Sequence, residues 1–418
     1  MRAKTWTAWA FLSVACSPAS DAKPDVPAAV DALAEIAFDD QGFELDPPGT
    51  WFDGDLHVHA TGASNDTGGE SPPELIAATA RARGLHFLVL TDHSNSTGSD
   101  TTTLTEDPAL FNQGPEFPFW DKAAALSVPG VFLMVDGNEV SPVAVGEKEP
   151  RGHIGCIPMD LKTFDRDGGF TDRPRGVVTG GQALAQAKAR GCFTVINHPY
   201  ALIHMKYDWT AMDYDAIETW NGGGIGFDAL DHGGVAAWKC DLLAGRHVVA
   251  VGGSDNHRVK KPAPPDGTGL EAPLGWPRTA VFAKALTWPD LIDGLRAGRV
   301  MIRTETSAVR LDAYDQGKRR VQAAQASAVR WLRLRGRLDP QAPPATLRLV
   351  RATACNDTRP GAAAPTVTET EVYSAAIAPG ADFAQALAVT GEPGVYTATL
   401  LPDEAGHHGA LSPAVVVK

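Results

Sequence analysis

The sequence predicts an α/β protein, a mainly parallel barrel followed by a small β-sandwich domain. From about residue 50 to 305, short apolar runs alternate with stretches of helical spacing. After residue 305 the long helical stretches cease, and short apolar runs are separated by turns that carry Pro and Gly. Alternating β and α units indicate a parallel sheet, and a long series that closes on itself is a barrel.

The N-terminal segment has the layout of an export signal over residues 1–16. Arg2 and Lys4 precede a short apolar run in "MRAKTWTAWAFLSVAC", which is too short to span a bilayer. Cys16 after Ala15 is similar to the end of a bacterial lipoprotein signal, although Ser13 stands where Leu is usual. We therefore expect a periplasmic, outer-membrane or extracellular protein, with a membrane tether through lipidated Cys16 left open. Residues 17–49 are typical of a tether with a short helix.

The barrel region, residues 50–305, contains alternating strand and helix patterns. Strands are predicted at "HFLVLTDH", "GVFLMVDGNEV", "GHIGCIPM", "CFTVINHP", "DAIETWNG" and "HVVAVGGSDNH". Helices are predicted at "PPELIAATARARG", "GGQALAQAKARG" and "GGVAAWKCDLLAGR". Each strand pattern ends in polar residues, and active-site residues of such barrels collect at the carboxyl ends of the strands.

The region 306–418 is predicted to be the β-sandwich. Short strand patterns such as "AVRLDAY", "ATLRLVRA" and "GVYTATLLP" follow one another without long helices.

Charge and cysteine usage limit the partners and the compartment. The net charge of −13 argues against a nucleic-acid partner. Besides Cys16 there are four cysteines, which could pair in an exported protein, but their connectivity does not follow from the sequence. Cys192 in "GCFTVINHP" is typical of a small apolar core residue.

Polar residues recur where the predicted strands end. His57 and His59 in "DLHVH" are two apart, so on a strand they share one face. The other candidates are Asp92 and His93 in "LTDH", Glu139 in "GNEVS", His153 in "RGHIG", His198 in "INHP", and Asp255 and His257 in "GGSDNH". Any one of them alone is more typical of a hydrogen-bonded polar residue, a helix cap or a turn. Jointly they favour a metal centre.

The residue types indicate which metals and which chemistry. Imidazole and carboxylate without clustered thiolate suit zinc, manganese or iron. The candidates are too many for one tetrahedral ion, which implies two or three, and Glu139 is placed to bridge two of them. Such ions lower the pKa of a bound water and polarise an ester oxygen, which permits hydrolysis without a protein nucleophile.

These motifs also carry a family resemblance. In order, "DLHVH", "LTDHS", "NHP" and "GSDNH" resemble the PHP (polymerase and histidinol phosphatase) superfamily. "IETWNG", "GWPRTAVF", "LRAGRVMIRT" and "ALSPAVVVK" look like its CehA/McbA metallohydrolase branch. The resemblance covers about residues 50–305 and, more loosely, the tail. It implies a distorted (β/α)7 PHP-type barrel with a three-ion site.

The resemblance also implies a ligand for each ion. One ion would take His57, His59, Glu139 and Asp255; a second, His93 and His257; a third, Glu139, His153 and His198. Asp66 in "ATGASNDTGG" matches a further ligand. Asp92 would orient a ligand, and Glu139, Asp255, His257 and Asp92 would serve catalysis.

The expected function is hydrolysis of a small-molecule ester. Most characterised members are phosphoesterases, which leads us to expect an exported phosphoesterase that uses a hydroxide bridging the ions, with His257 or a bound water protonating the leaving group. The branch also includes esterases of aryl carbamates, so a carbamic or carboxylic ester is the alternative. A third hypothesis, a surface binding protein with a vestigial barrel, predicts missing ligands.

Two further groups of residues bear on the substrate. Basic residues in the predicted barrel-top loops could contact a phosphate or be solvated: Arg151, Arg258, Lys260, Lys261 and Arg278. Trp220 and Trp276 could line an aryl pocket or pack between barrel and sandwich.

Overall fold

The computed structural model describes residues 38–64, 66–94, 115–142, 151–170, 179–201, 205–223, 227–260, 272–321, 328–359, 363–389, 391–402 and 408–418. The predicted export signal, Cys16, most of the predicted tether and Lys261 lie outside these ranges. No helix within them is both long enough and apolar enough to cross a membrane.

Helices and strands alternate up to about residue 300, and strands follow one another after it. In chain order the elements are β1 (Thr50–Val58), α1 (Pro73–Ala82), β2 (Phe87–Leu90), α2 (Trp120–Leu126), β3 (Leu133–Asp136), β4 (Asn138–Val140), β5 (His153–Pro158), α3 (Gly180–Arg190), β6 (Cys192–Asn197), β7 (Ala216–Asn221), α4 (Ala229–Leu243), β8 (Val249–Gly253), β9 (Arg278–Ala283), α5 (Trp288–Arg296), β10 (Val300–Arg303), β11 (Ala308–Tyr314), β12 (Trp331–Arg337), β13 (Ala345–Asn356), β14 (Thr366–Ile377), β15 (Asp382–Ala388), β16 (Gly394–Pro402), β17 (Ala410–Leu411) and β18 (Val415–Val417).

The largest sheet joins strands from both predicted regions. Its order is β14-β13-β16-β17-β10-β9-β1-β2-β3, with β18 paired to β16. Strands β1, β2 and β3 are parallel, whereas β9 runs antiparallel to β1. Ile302 of β10 pairs with Leu411 of β17, so sheet hydrogen bonding crosses the predicted boundary at residue 305. The boundary itself remains a prediction.

A second sheet carries the order β4-β5-β6-β7-β8. Strands β6, β7 and β8 are parallel, but β5 runs antiparallel to both β4 and β6. The third sheet, β11-β12-β15, is antiparallel. Its Leu311 and Leu334 share an apolar core with Leu347 of β13 and Leu400 of β16, so two sheets enclose the C-terminal core.

Both edges of the second sheet approach the first sheet, without forming a closed barrel among the described residues. Only Gly137 separates β3 from β4, and its N–H donates to the carbonyl of Leu90. At the other edge, one isolated bridge joins Val58 to Asn256. The mixed α/β class is therefore confirmed, whereas a closed (β/α)7 barrel is not.

Local sequence signals account for both ends of α3 and for the start of α4. Thr179 and Gln182 form a reciprocal capping box at the start of α3, and Gly191 ends it with a φ of 90°. Asp228 and Asp231 form the same box at the start of α4.

The end of the predicted tether is folded, which corrects the expectation for residues 38–49. Phe43 is buried, with its ring 4.8 Å from that of Tyr314. Asp46 lies 2.7 Å from Arg310 and 3.3 Å from Arg335. The physical reason is charge complementarity, because the outward-facing arginines of β11 and β12 meet the acidic residues of this segment.

Two disulfides are present, Cys156–Cys192 and Cys240–Cys355, with Cα–Cα distances of 5.0 and 5.4 Å. Cys192 is buried in an apolar core, as expected, but it is also disulfide-bonded, because antiparallel β5 brings Cys156 beside it. The second disulfide joins α4 to β13.

We predict that loss of either disulfide destabilises the protein, and that loss of Cys240–Cys355 costs more. The separations of 115 and 36 residues correspond to about 5 and about 4 kcal/mol of loop-closure entropy. Urea unfolding of the Cys240→Ala/Cys355→Ala and Cys156→Ala/Cys192→Ala variants measures both. Equal stability of the unaltered protein with and without reductant would contradict the pairing.

Candidate metal centre

The candidate ligands converge although their strands do not all point the same way. His57 lies in β1, and His93, His198 and His257 follow β2, β6 and β8. His153 begins β5 rather than ending it, which corrects the expectation that every ligand follows a strand end. Because β5 is antiparallel to β4 and β6, its first residue reaches the edge where the ends of β2, β6 and β8 lie.

Glu139 lies at the centre of the cluster and is 1% exposed. Its Oε1 is 3.0 Å from Nε2 of His57 and 3.3 Å from Nε2 of His198. Nε2 of His57 is also 3.2 Å from Oδ1 of Asp255. Oε1 of Glu139 thus faces imidazoles from two different strands, β1 and β6, and Nε2 of His57 also faces Asp255.

The other oxygen of Glu139 faces a second set of imidazoles. Its Oε2 is 3.1 Å from Nδ1 of His153, 3.3 Å from Nδ1 of His93 and 3.7 Å from Nε2 of His59. Nε2 of His59 is 3.2 Å from Oδ1 of Asp255. The two oxygens of one carboxylate are therefore presented to separate groups of nitrogen atoms.

Asp66 completes the open side of the cluster. Its Oδ2 is 3.3 Å from Nε2 of His257 and 3.6 Å from Nε2 of His93. The rings of His59 and His257 stack, with centroids 3.8 Å apart. The Asp66 side chain is 39% exposed, whereas that of Glu139 is 1% exposed, so solvent reaches the cluster from the Asp66 side.

The donor set fits divalent cations. Nε2 of His57, Nε2 of His59 and both ring nitrogens of His153 are buried, with no hydrogen-bond partner in the described part of the chain. Buried polar atoms normally have partners. Ligand atoms around an ion at about 2.0–2.1 Å lie roughly 3.0–3.3 Å from one another, which is the spacing of most of these nitrogen and oxygen atoms.

Four overlapping groups could each hold an ion. They are His59 with His93 and His257; His57 with His198 and Asp255; His57 with His59 and Glu139; and Glu139 with His153 and His198. The last two match sets that the resemblance implies. His59 also lies with His93 and His257, so the division of ligands among ions remains a prediction.

Burial and mutual repulsion keep some imidazoles neutral. Burial, together with the charge of His257, lowers the pKa of His59 to about 3. Burial lowers the pKa of His153 as well. Burial opposes the charged form of His257 too, but Asp66 outweighs it and raises the pKa of His257 to about 9. Neutral imidazole is the form that binds a metal.

Asp92 lies behind the cluster rather than in it. Its Oδ1 accepts hydrogen bonds from the backbone N–H of Ala60 at 2.6 Å and from Oγ of Ser64 at 2.8 Å. Oγ of Ser64 is 3.0 Å from Nδ1 of His59. Burial raises the pKa of Asp92 to about 7. Asp92 thus reaches His59 through Ser64, in keeping with an orienting role; its catalytic role remains a prediction.

Three supporting residues were not identified from the sequence. Nδ2 of Asn197 donates to Oε1 of Glu139 at 2.8 Å. Asp55 accepts from the backbone N–H groups of His57 and Ser254, which ties the end of β1 to the end of β8. Glu218 of β7 lies 3.2 Å from Nδ1 of His57. Asn197 beside His198 and Glu218 within "IETWN" were the available signals, but both stand inside strand patterns.

The backbone is strained at the cluster. Ser94, His198 and Asp255 have φ angles of 46°, 26° and 54°, and they are three of the six non-glycine residues with positive φ in the described ranges. Such strain gathers at functional sites, where the surrounding contacts hold it. The N–H of Asp255 donates to the carbonyl of His57 at 2.9 Å.

The basic residues of the predicted barrel-top loops differ in their position relative to the cluster. Arg278 is buried 3.4 Å from Glu305 and 3.7 Å from Asp53, so it supports β9 and not the site. Nζ of Lys260 donates to the carbonyl of Gly69, close in sequence to Asp66. Arg258 follows His257, and Arg151 lies two residues before His153.

The two tryptophans also differ. Trp220 is 1% exposed in a core with Ile302 and Leu411, which is packing between predicted barrel and sandwich strands. Trp276 lies beside Arg83 and the ring of His408.

Comparison with known proteins finds a weak structural similarity. No family model matches the chain, and no curated protein matches it. Among solved structures, it is similar to a two-domain protein containing a predicted PHP-like metal-dependent phosphoesterase from Bacteroides vulgatus, at 14% identity and a TM-score of 0.41. The match covers 85% of this chain and 93% of that chain. This likeness is too weak to bear on the function of the present chain.

We predict that Gly253→Ala disrupts the cluster. An added Cβ would lie 2.5 Å from Cβ of His57 and 3.1 Å from Oε1 of Glu218, so His57 would have to move. We expect a loss of about 1–3 kcal/mol in stability together with weaker zinc binding, measured by urea unfolding and zinc titration.

Gly169→Ala is the control for that substitution, because its added Cβ would approach only Oε1 of Glu116, at an ordinary 3.9 Å. Unchanged zinc binding in Gly253→Ala would show that the close approach does not constrain His57.

Proposed function

We propose that this chain is an exported metal-dependent hydrolase of the PHP superfamily that cleaves phosphoesters. The observation that carries the proposal is the geometry of Glu139, whose two buried oxygens lie 3.0–3.7 Å from nitrogen atoms of five different imidazoles. Such a carboxylate is suited to bridge two cations. The order of the motifs that resemble the CehA/McbA branch supports the same assignment.

The proposed fold is a distorted seven-stranded barrel made of β1, β2, β3 with β4, β5, β6, β7 and β8. Two features support it: the single residue Gly137 between β3 and β4, and the bridge between Val58 and Asn256. The C-terminal sheets would form the second domain.

Two or three ions, of zinc, manganese or iron, suit the donors, which outnumber the four ligands of a tetrahedral site. When bound, such ions supply an activated water and Lewis acidity toward the ester oxygen. The protein holds Glu139 and Asp255 between the imidazoles and leaves the Asp66 side open to substrate. Nδ1 of His257 faces the carbonyl of Asp255 at 2.9 Å and donates to it, which leaves Nε2 directed to the Asp66 side as a ligand.

Positive charge beside the open side favours an anionic substrate. A Cβ on Gly68 would lie 3.8 Å from Nε of Arg258, and Lys260 contacts Gly69. Both cations thus border the loop that carries Asp66, where they can approach phosphate oxygens. An aryl carbamate would instead need an aromatic wall, and Trp220 is buried away from that role.

The alternative of a non-catalytic binding protein predicts lost ligands. Instead, every candidate ligand is retained and brought into the cluster.

Export is supported by two independent features. The layout of residues 1–16 is that of an export signal. The two disulfides suit an oxidising compartment such as the periplasm or the cell surface. Lipidation of Cys16 would tether the protein to a membrane.

We predict that His57→Ala and Glu139→Ala abolish hydrolysis, with losses of about a thousandfold or more because each removes a cation ligand. Side-by-side assays use p-nitrophenyl phosphate, bis-p-nitrophenyl phosphate and an aryl carbamate. We expect turnover of a phosphate ester, far-UV circular dichroism unchanged in both variants, and normal activity in Glu371→Gln, an exposed control. Full activity in both ligand variants would overturn the assignment, and turnover of the carbamate alone would favour the esterase alternative.

A further inference from the structure

Glu218 is a buried carboxylate that lies outside the candidate ligand set. It is 3% exposed, on β7, and both of its oxygens are engaged. Oε1 is 3.2 Å from Nδ1 of His57. Oε2 accepts from the backbone N–H of His198 at 2.8 Å and from Nδ2 of Asn221 at 2.8 Å. One side chain therefore contacts two candidate ligands that come from two different strands.

The contact with His57 fixes which ring nitrogen can bind a cation. A carboxylate only accepts hydrogen bonds, so Nδ1 of His57 must carry the proton that it donates to Glu218. When a cation is bound, Nε2 is the nitrogen left with a free lone pair, and it lies 3.0 Å from Oε1 of Glu139 and 3.2 Å from Oδ1 of Asp255, which would share that cation. A carboxylate behind a ligating imidazole orients the ring and raises its basicity.

The contact with His198 holds a strained backbone. His198 has a φ of 26°, which a side-chain-bearing residue adopts only when its surroundings enforce it. Its N–H is fixed by Oε2 of Glu218, and its Nε2 lies 3.3 Å from the same Oε1 of Glu139 that faces His57. Glu218 thus aligns two imidazoles on one oxygen of Glu139.

Packing leaves Glu218 little freedom. A Cβ on Gly253 would lie 3.1 Å from its Oε1, and a Cβ on Gly234 of α4 would lie 2.9 Å from its backbone carbonyl oxygen. Glycine at both positions lets β8 and α4 approach β7 closely.

We propose that Glu218 is the positioning residue of the metal centre, setting the tautomer of His57 and the ring position of His198 so that both bind a cation beside Glu139. This rests on the proposed metal-dependent function. Glu218 itself faces the backs of the ligands and touches no substrate.

Zinc binding by the purified full chain tests the proposal. Glu218→Gln removes the charge. Its amide NH2 group either takes the place of Oε1 and donates to Nδ1 of His57, or takes the place of Oε2 and faces two donors, the N–H of His198 and Nδ2 of Asn221. We expect the variant to bind Zn²⁺ about 10–100-fold more weakly than the unaltered protein, in competition with a chromophoric chelator. ¹⁵N shifts of the zinc-loaded protein should show His57 protonated at Nδ1 and bound through Nε2, whereas the variant should show a mixture of the two tautomers.

Asp231→Asn is the matched control. Asp231 is a buried carboxylate of α4 that accepts from the N–H groups of Asn221 and Asp228 and contacts no imidazole of the cluster. It should bind Zn²⁺ within about threefold of the unaltered protein. Should Glu218→Gln not fold, Glu218→Asp retains the charge at a shorter reach and should show intermediate affinity.

The outcomes distinguish the positioning role of Glu218 from the proposed metal-dependent function. Zn²⁺ affinity in Glu218→Gln equal to that of the unaltered protein overturns the role of Glu218 alone, as does an equal loss in Asp231→Asn. Failure of the unaltered protein to bind Zn²⁺ overturns the proposed function and this role with it.

Discussion

The structure depends on one carboxylate shared by many imidazoles. Glu139 is buried, and five ring nitrogens from different histidines approach its two oxygens. Six imidazoles this close cannot all carry a positive charge, and so many buried polar atoms without hydrogen bonds would be costly in an apolar interior. Cations shared between the carboxylate and the imidazoles would remove the need for protons on the crowded rings and would give the buried nitrogen atoms a partner. The arrangement of the ligands therefore depends on metal binding.

The rest of the fold brings these groups together. Reversal of β5 turns His153 toward the edge where the ends of β2, β6 and β8 lie, and Gly137 lets β3 pass into β4 so that Glu139 reaches the centre. Behind the ligands, Asp55, Asn197 and Glu218 fix backbone and ring positions. The C-terminal strands extend the sheet of β10, and none of their described residues belongs to the cluster.

The sequence predicted what local patterns determine. His57 and His59 could be placed on one face of a strand because side chains alternate. Helix α3 could be placed from its helical spacing and from Gly191, which ends it. It could not predict the reversed direction of β5, the pairing of Cys192 with Cys156, or the folding of Phe43 onto the C-terminal strands. Those features follow from contacts between distant segments. Glu218 escaped notice for the same reason, since only the fold shows that it meets His57.

Elemental analysis of the purified protein, after supplementation with zinc, manganese and iron, tests the account most directly. We expect two or three ions of these metals per chain, retained through dialysis and lost together with activity on chelation. A protein that carries less than one ion per chain and yet hydrolyses esters at its full rate would contradict it.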